Sequence, residues 1–322
     1  KGFYRVKYDE GILLDLKMLV DEKRIPPIDR WAVQNDLFSL CVSGDEQVRN
    51  YLDFSDAYFD EDSYLASVNV AHNLASLYFR AFDEKFVEEI RSYAINYFRK
   101  ILSNLGWEPR KSDKHTDALL RSFTISALGK MNDDSVTDEA LQKYKKFLKS
   151  PHSLSPDLIE PICSIAAWNG NSKTFNELKK LYTNSKTMEQ KLRFLGAMCG
   201  FQDKKLLAKT LDFSQTSEVR SQNMQLPIMK IAANPYGDKI LWPWLKKNWK
   251  KINKKVGHGN PLFNRIVASI AGVADDSMEN EIKLFFKKNP TPGTERTQKQ
   301  TLERIRINSK FLRVMRKEFK NG

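Results

Sequence analysis

Histidine is scarce in this chain of 322 residues, and its spacing excludes one large class of active sites. The 4 histidines form no H-E-x-x-H pair, which zinc peptidases use to place two ring nitrogens on one metal ion. They are His72, His115, His152 and His258. We interpret His72, which precedes Asn73 in a helical pattern, as a packing or capping residue and not as a ligand. The chain alone is expected to hold no metal ion and no catalytic residue.

Cysteine is equally scarce, and long apolar runs are missing. The 3 cysteines follow no C-x-x-C spacing and have apolar neighbours, which predicts buried side chains in a reducing, cytoplasmic compartment. They are Cys41, Cys163 and Cys199. No stretch reaches the roughly 20 apolar residues of a membrane span, so we expect no membrane partner. Because the chain opens on Lys1 instead of methionine, we expect it to be a fragment of a longer protein.

The phosphate-binding and nucleophile motifs are absent as well. There is no P-loop, no G-x-G-x-x-G and no G-x-S-x-G, and the strand-turn-helix settings of these motifs are missing too. Paired carboxylates such as Asp133-Asp134 lie in polar turns, where capping of a helix is their ordinary role. The sequence therefore encodes no nucleotide chemistry and no acid-base pair.

What the chain has in excess is positive charge, with 53 Lys and Arg against 40 Asp and Glu and a net charge of +13. Such a balance fits nucleic acid, an anionic membrane, acidic ligands or a merely soluble surface. The densest basic run is Lys246, Lys247, Lys250, Lys251, Lys254 and Lys255. Trp242, Leu245 and Trp249 recur around it at helical spacing, which indicates the solvated face of an amphipathic helix. Elsewhere the basic residues are dispersed among acids, so we expect no nucleic-acid partner.

Hydrophobic periodicity changes once along the chain. Tyr4, Val6 and Tyr8 alternate with basic residues, which predicts a short strand within residues 1–9, left over from a preceding β-domain. From about Glu10 to residue 322 the period is helical, with frequent Pro, Gly and Asn breaks. Stacked helix pairs would cover the apolar stripes, so we expect an all-α, irregular right-handed superhelix of the HEAT or armadillo kind, with roughly 14 to 18 helices.

Several segments, in order along the chain, resemble the gluzincin zinc aminopeptidases of the puromycin-sensitive type. Residues 2–9, Gly-Phe-Tyr-Arg-Val-Lys-Tyr-Asp, are similar to the G-[YF]-Y-R-V-x-Y-D segment that ends the β-domain of that family. The other matching segments are 29–32 (DRWA), 35–40 (NDLFSL), 105–109 (LGWEP), 117–121 (DALLR), 242–249 (WPWLKKNW) and 295–297 (ERT). Residues 136–229 resemble the family only in helical character.

This resemblance implies the C-terminal domain of an aminopeptidase that removes residues from the N-terminus of peptides. The family's fold for this region is a bowl of paired helices that encloses the active-site chamber, limits peptide length and binds the distal part of the peptide. Zinc would be bound outside this chain, and the partners would be peptides and the N-terminal and catalytic domains of the same polypeptide. Archaeal tricorn-interacting members look most similar, which adds the tricorn protease as an expected partner.

The resemblance also suggests three residues that would line the peptide-binding side of the chamber, which we call the substrate wall. Arg265 follows Leu262-Phe263, where similar enzymes place an arginine, although a salt bridge between helices is the structural alternative. Asn234 begins the break before the tryptophan-rich helix, and Arg121 ends the DALLR segment, where a structural role is the stronger interpretation. Trp107, Trp242 and Trp249 are expected to pack between helices.

One alternative remains open on composition and periodicity. A free-standing basic helical-repeat scaffold could bind protein or nucleic acid on its concave face. Such a scaffold should repeat Lys or Arg on one face of successive helices, which this sequence does not do. The initial strand pattern and the ordered matches favour the aminopeptidase domain.

Overall fold

The chain is all-α, as predicted, in residues 4–257 and 260–320, which are the residues that the computed structural model describes. These residues form 16 α-helices and several short 3-10 turns, within the expected range of helix number. Two compact units are present. Unit 1 comprises Lys1–Val136 with Lys310–Gly322, and unit 2 comprises Thr137–Ser309.

Unit 1 contains six complete helices. They are α1 (Glu10–Asp21), α2 (Pro27–Ser43), α3 (Val48–Ser55), α4 (Tyr64–Arg80), α5 (Val87–Leu105) and α6 (His115–Lys130). The remaining helices lie mainly in unit 2. They are α7 (Asp134–Lys149), α8 (Pro156–Trp168), α9 (Ser172–Asn184), α10 (Met188–Ala197), α11 (Lys204–Ser214), α12 (Gln225–Ala232), α13 (Asp238–Val256), α14 (Pro261–Ser269), α15 (Glu279–Lys288) and α16 (Glu295–Glu318). The last turns of α16 belong to unit 1.

Local sequence signals fix several helix ends. The Asp9 carboxylate caps α1 by accepting from the Ile12 backbone N–H at 2.9 Å, and Asn260 caps α14 by accepting from Leu262 at 3.0 Å. Pro27 is the first residue of α2, where a backbone N–H has no partner within the helix, so the missing N–H of proline costs no hydrogen bond. Gly44 ends the same helix at a φ of 85°, a left-handed conformation that favours glycine.

In unit 1, α2 packs on α3 and α4, α4 on α5, and α5 on α6. A buried polar network joins three of these helices, because Asn73 donates to Gln34 at 3.1 Å and to the Tyr51 hydroxyl at 2.9 Å. The last turn of α16 completes the unit. The Glu318 carboxylate accepts from the backbone N–H groups of Val48 and Arg49, at 3.0 and 2.7 Å, and so caps α3, which has no side-chain cap of its own.

In unit 2, the helices form two rows, as in helical-repeat proteins. In the first row, α8 packs on α10, α10 on α12 and α12 on α14, and we call these four helices the even row. In the second row α11 packs on α13, and both contact α12. This pairing of each helix with its neighbours covers the apolar stripes that the sequence showed.

The predicted initial strand is not found in the described residues. Residues 4–9 form neither strand nor helix, and residues 1–3 lie outside the described part. A strand needs a neighbouring strand with which to pair its backbone groups, and this segment is instead held by polar contacts with α2 and with the turn that follows it. The Val6 N–H donates to the Asp36 carboxylate at 3.3 Å, and Lys7 Nζ donates to the Asp45 carbonyl at 2.8 Å. Among the described residues, no helix is long and apolar enough to cross a membrane.

Candidate functional site

Arg121 has a structural position in unit 1. Its side chain is 1% exposed and donates to the carbonyl oxygens of Gly106 and Leu105 at 2.9 and 3.1 Å, so it caps the end of α5. It also pairs with the Asp113 carboxylate, whose pKa is lowered by hydrogen bonds from the Arg110 N–H and from Arg121. Arg121 therefore joins α6 to the preceding loop, and it offers no exposed group to a peptide.

Asn234 is also buried, at 7% exposure, in unit 2. Its Nδ2 donates to the carbonyl oxygens of Cys199 and Phe201 at 2.9 and 3.0 Å, and its Oδ1 accepts from the Tyr236 N–H at 2.9 Å. These three bonds use most of the hydrogen-bonding capacity of the amide. The side chain thus holds the turn before α13 against the segment that follows α10.

Arg265 differs from both, because it lies exposed on α14, a helix of the even row. The neighbouring Phe263, Ile266 and Val267 are buried and anchor α14, which leaves the guanidinium on the solvent side. The structure records no ion pair for Arg265 within residues 4–257 and 260–320, so the alternative of an interhelical salt bridge finds no support there. Of the three predicted residues, Arg265 is the one whose charged group is available to an anionic ligand.

An ion pair that the sequence gave no reason to single out crosses the even row. Lys230 on α12 pairs with Glu160 on α8 over the backbone of α10 at Gly196. A Cβ at position 196 would lie 2.9 Å from Glu160 Oε1 and 3.1 Å from Lys230 Nζ. Both charged side chains are 39% exposed. The only signal in the sequence is a glycine inside a helical pattern, which often marks a close approach.

The basic run on α13 is largely the solvated helix face that was predicted. Trp242 and Trp249 are each 2% exposed, and Trp249 packs edge-on against Phe263 and Phe285, which confirms their packing role. Trp107 is half-buried. Lys255 is an exception to the solvated face.

The Lys255 ammonium donates to the carbonyl oxygens of Ser214, Thr216 and Val219, at 3.3, 3.0 and 3.3 Å. Burial, followed by the nearby charge of Lys251, lowers the pKa of Lys255. Lys255 therefore fastens the end of α11 to α13 and is not free to bind a ligand.

A second basic surface lies in unit 2, around an open groove of about 490 Å³ between α7 and α9. Exposed Lys145, Lys149 and Lys173 line it, together with the Tyr144 hydroxyl, which donates to Glu177 at 3.1 Å. The three ammonium groups exceed the single carboxylate and give the groove a positive potential. The dispersed lysines of the sequence gave no indication of this grouping.

The described residues do not fit a zinc ion. In residues 4–257 and 260–320 no group of three or more His, Cys, Asp or Glu side chains is placed to hold a metal. His72 bonds through Nδ1 to the Val68 carbonyl at 2.6 Å and stacks on Phe123 at 4.3 Å, so it is a packing residue as predicted. The three cysteines are buried as predicted, and burial raises the pKa of Cys41 and of Cys163. His258 lies outside the described residues.

Comparison with known proteins gives consistent matches. The profile of the family described as ERAP1-like C-terminal domain matches residues 1–307. Aminopeptidase M1-A of Oryza sativa subsp. japonica is 26% identical over 100% of this chain and 37% of its own length. Aminopeptidase M1 of Arabidopsis thaliana is 26% identical over 98% of this chain and 37% of its own length. Aminopeptidase 2, mitochondrial, of Saccharomyces cerevisiae is 25% identical over 86% of the chain and 30% of its own length. The chain thus spans about a third of the curated relatives that it matches.

Proposed function

The chain belongs to the ERAP1-like C-terminal domain family, and we propose that it is the C-terminal helical domain of a zinc-dependent aminopeptidase. The observation that carries this proposal is the family match over residues 1–307, together with relatives that are named aminopeptidases. Those relatives are much longer than this chain, which leaves room for a catalytic domain elsewhere in the parent polypeptide.

In this proposal the chain binds and encloses the peptide, and bond cleavage takes place outside it. Its described residues contain no group suited to a metal ion, so zinc would be bound by the preceding part of the parent. A helical domain placed over that site would exclude water and limit the length of the peptide that can enter. Basic side chains on its surface would attract the negative C-terminus and acidic side chains of a peptide.

Arg265 is the residue that we propose for contact with the distal part of the peptide. Its guanidinium is exposed and has no recorded carboxylate partner among the described residues. Lys230 lies on the neighbouring helix of the even row. Its ammonium is already paired with the Glu160 carboxylate, which partly neutralises its charge. We do not propose Arg121 and Asn234 for this contact, because both are buried and donate to backbone carbonyl groups. Arg121 holds α6 against the end of α5, and Asn234 holds the turn before α13 in place.

The test is a comparison of substrate lengths in the full-length enzyme. Arg265→Ala is expected to raise KM for long peptides by about two- to five-fold, which corresponds to the loss of one exposed charge contact. KM for an alanyl amide should not change, because in this proposal Arg265 contacts only the distal part of a long peptide. Arg304→Ala is the matched control, because Arg304 is also an exposed arginine of unit 2. Equal effects on long and short substrates would show that Arg265 does not contact the distal part of the peptide.

The proposal that the parent polypeptide is a zinc aminopeptidase has its own test. The coding sequence before Lys1 should continue in frame into H-E-x-x-H with a further glutamate ligand. A parent polypeptide without aminopeptidase activity on any aminoacyl amide would refute the function. A cytoplasmic location and docking of the parent to the tricorn protease stay predictions.

A further inference from the structure

Exposed apolar side chains concentrate at the start of the described chain. Tyr4, Leu14 and Met18 are 70%, 62% and 58% exposed, the three highest values among large hydrophobic residues of the described part. Ile12, also on α1, is 49% exposed. Single exposed apolar residues are common on protein surfaces, but several on one short helix indicate a contact surface.

The helix α1 has an inner and an outer face. The inner face carries buried Val20 and half-buried Leu13, Leu16 and Lys17, and the helix packs on the 3-10 turn Asp56–Tyr58. Lys17 Nζ fixes this side through a 3.0 Å contact with Asp53.

The outer face carries Leu14 and Met18, which are one turn apart and project side by side. Gly11 lies one turn before Leu14 on the same face. Outside the helix's own backbone and the adjacent residues, the one atom within 4 Å of an added Cβ is a carboxylate oxygen of Asp9, at 3.5 Å. A partner could therefore approach the backbone closely at this end of the helix.

We propose that the outer face of α1, defined by Gly11, Leu14 and Met18, is the surface on which the preceding domain of the same polypeptide docks. This inference rests on the proposed function, since it requires a parent chain that continues before Lys1. The relatives are about three times as long as this chain, and the family is described as a C-terminal domain, so most of their remaining length precedes the matching region.

Residues 2–9 resemble the segment that ends the β-domain of the aminopeptidases, so that domain would be joined to this one directly before α1. Such a short connection gives the preceding domain a high effective concentration at the helix, higher than any separate molecule reaches in dilute solution. The same-chain domain is therefore the occupant that the position of α1 favours over a second copy.

Charge defines the chemistry of the partner surface. Asp15 and Asp21 flank Leu14 and Met18 and are exposed, in a chain whose net charge is +13. An apolar centre with an acidic rim is complemented by an apolar patch with a basic rim. Met18 suits the centre of such a contact, because its flexible thioether adapts to the facing surface.

The test uses cysteine labelling in the full-length polypeptide. Met18→Cys places a thiol on the outer face, and Leu284→Cys places one at the 56% exposed Leu284 of α15 as the matched control. The native cysteines of this chain are buried and give a low background, and mass spectrometry assigns each labelled peptide. The thiol of the Met18→Cys variant should react with a maleimide at least about ten times more slowly than the control, because a covered thiol reacts only when the contact opens.

Two further measurements identify the occupant. Adding Leu14→Asp to the Met18→Cys variant should restore fast labelling, since a charge in the apolar centre opposes docking. Protection should not change on dilution, because the partner is in the same chain. Equal labelling rates at positions 18 and 284, or protection that is lost on dilution, would overturn the proposal. Aminopeptidase activity is assayed on the same samples, and protection in an inactive polypeptide would refute the proposed function while supporting the docking surface.

Discussion

Arg5 Nη1 donates to Asp36 Oδ1 at 2.8 Å and joins two segments that are 31 residues apart. The other oxygen of the same carboxylate accepts from the Val6 N–H at 3.3 Å. The Asp36 side chain is 12% exposed, whereas the Arg5 side chain is 49% exposed. Both residues belong to segments that resemble the aminopeptidase family, and their contact gives a physical reason for the two segments to occur together.

Because Asp36 and Arg5 are unequally buried, we expect their substitutions to lower the stability of the protein by unequal amounts. Asp36→Ala should lower the free energy of unfolding by about 1–3 kcal/mol, because it leaves a backbone N–H and a guanidinium without their acceptor. Arg5→Ala should cost less than about 1 kcal/mol, because its exposed side chain is screened by water. Urea denaturation of both variants measures the difference. A larger loss for Arg5→Ala would contradict this account.

The buried pair of Arg30 and Glu61 should contribute more to the free energy of unfolding than the Arg5–Asp36 pair. Arg30 donates from Nε and Nη2 to the two oxygens of Glu61 at 2.8 and 2.7 Å, and the two side chains are only 4% and 1% exposed. Glu61→Ala is expected to cost about 3 kcal/mol, because it leaves a buried charge with only the exposed Asp62 as carboxylate partner.

The control is Glu22→Ala, which removes the exposed partner of Arg24 and should cost less than about 0.5 kcal/mol. Thermal or urea unfolding gives both values under the same conditions. Similar losses in the two variants would show that burial does not set the strength of the Arg30–Glu61 pair.

The helical class and the packing residues were predictable from the sequence, but the partners of polar side chains were not. Apolar stripes and the spacing of Trp242 and Trp249 are local patterns, so they indicate helices and buried faces directly. The acceptors of Asn234 are carbonyl groups 33 and 35 residues away, which no local pattern reveals. The alternation of Tyr4, Val6 and Tyr8 is typical of a strand, but pairing depends on a neighbouring strand that the described residues do not provide.

Glu281 should make the stability of unit 2 depend on pH. Its carboxylate accepts from Lys246 Nζ at 2.5 Å and from Trp242 Nε1 at 3.0 Å, and these bonds lower its pKa below the ordinary value of 4.5. A lowered folded-state pKa stabilises the protein above 4.5, and that contribution is lost as the pH falls through the folded-state value.

Glu281→Gln tests this dependence. At about pH 7 the variant should be less stable than the parent by no more than about 1 kcal/mol, since the pair is substantially exposed. The difference should shrink as the pH falls below 4.5 and vanish once the pH lies below the lowered folded-state pKa. Tryptophan fluorescence during urea unfolding reports the change. A difference that persists in acid would refute the assignment.

Two glycines of unit 2 should respond in opposite ways to the same substitution. At Gly196 the three atoms nearest to an added Cβ belong to the ends of the Glu160 and Lys230 side chains, which are each 39% exposed and can move aside. At Gly237 a Cβ would lie 2.1 Å from the Ile231 carbonyl oxygen, and backbone cannot move aside without disturbing α12. Gly196→Ala should therefore be neutral or stabilise by up to about 1 kcal/mol, because alanine favours the helix.

Gly237→Ala should destabilise by about 1–3 kcal/mol, as overpacking of a close contact does. Urea unfolding of the two variants gives the comparison, and a loss of stability at position 237 alone would separate the role of a glycine in a helix from its role in a turn. Asn234 and Gly237 together bring the turn formed by residues 234–237 against the end of α12. This close approach explains why position 237 requires a residue without a side chain. Equal losses at both positions would show that the Glu160–Lys230 pair is as rigid as backbone.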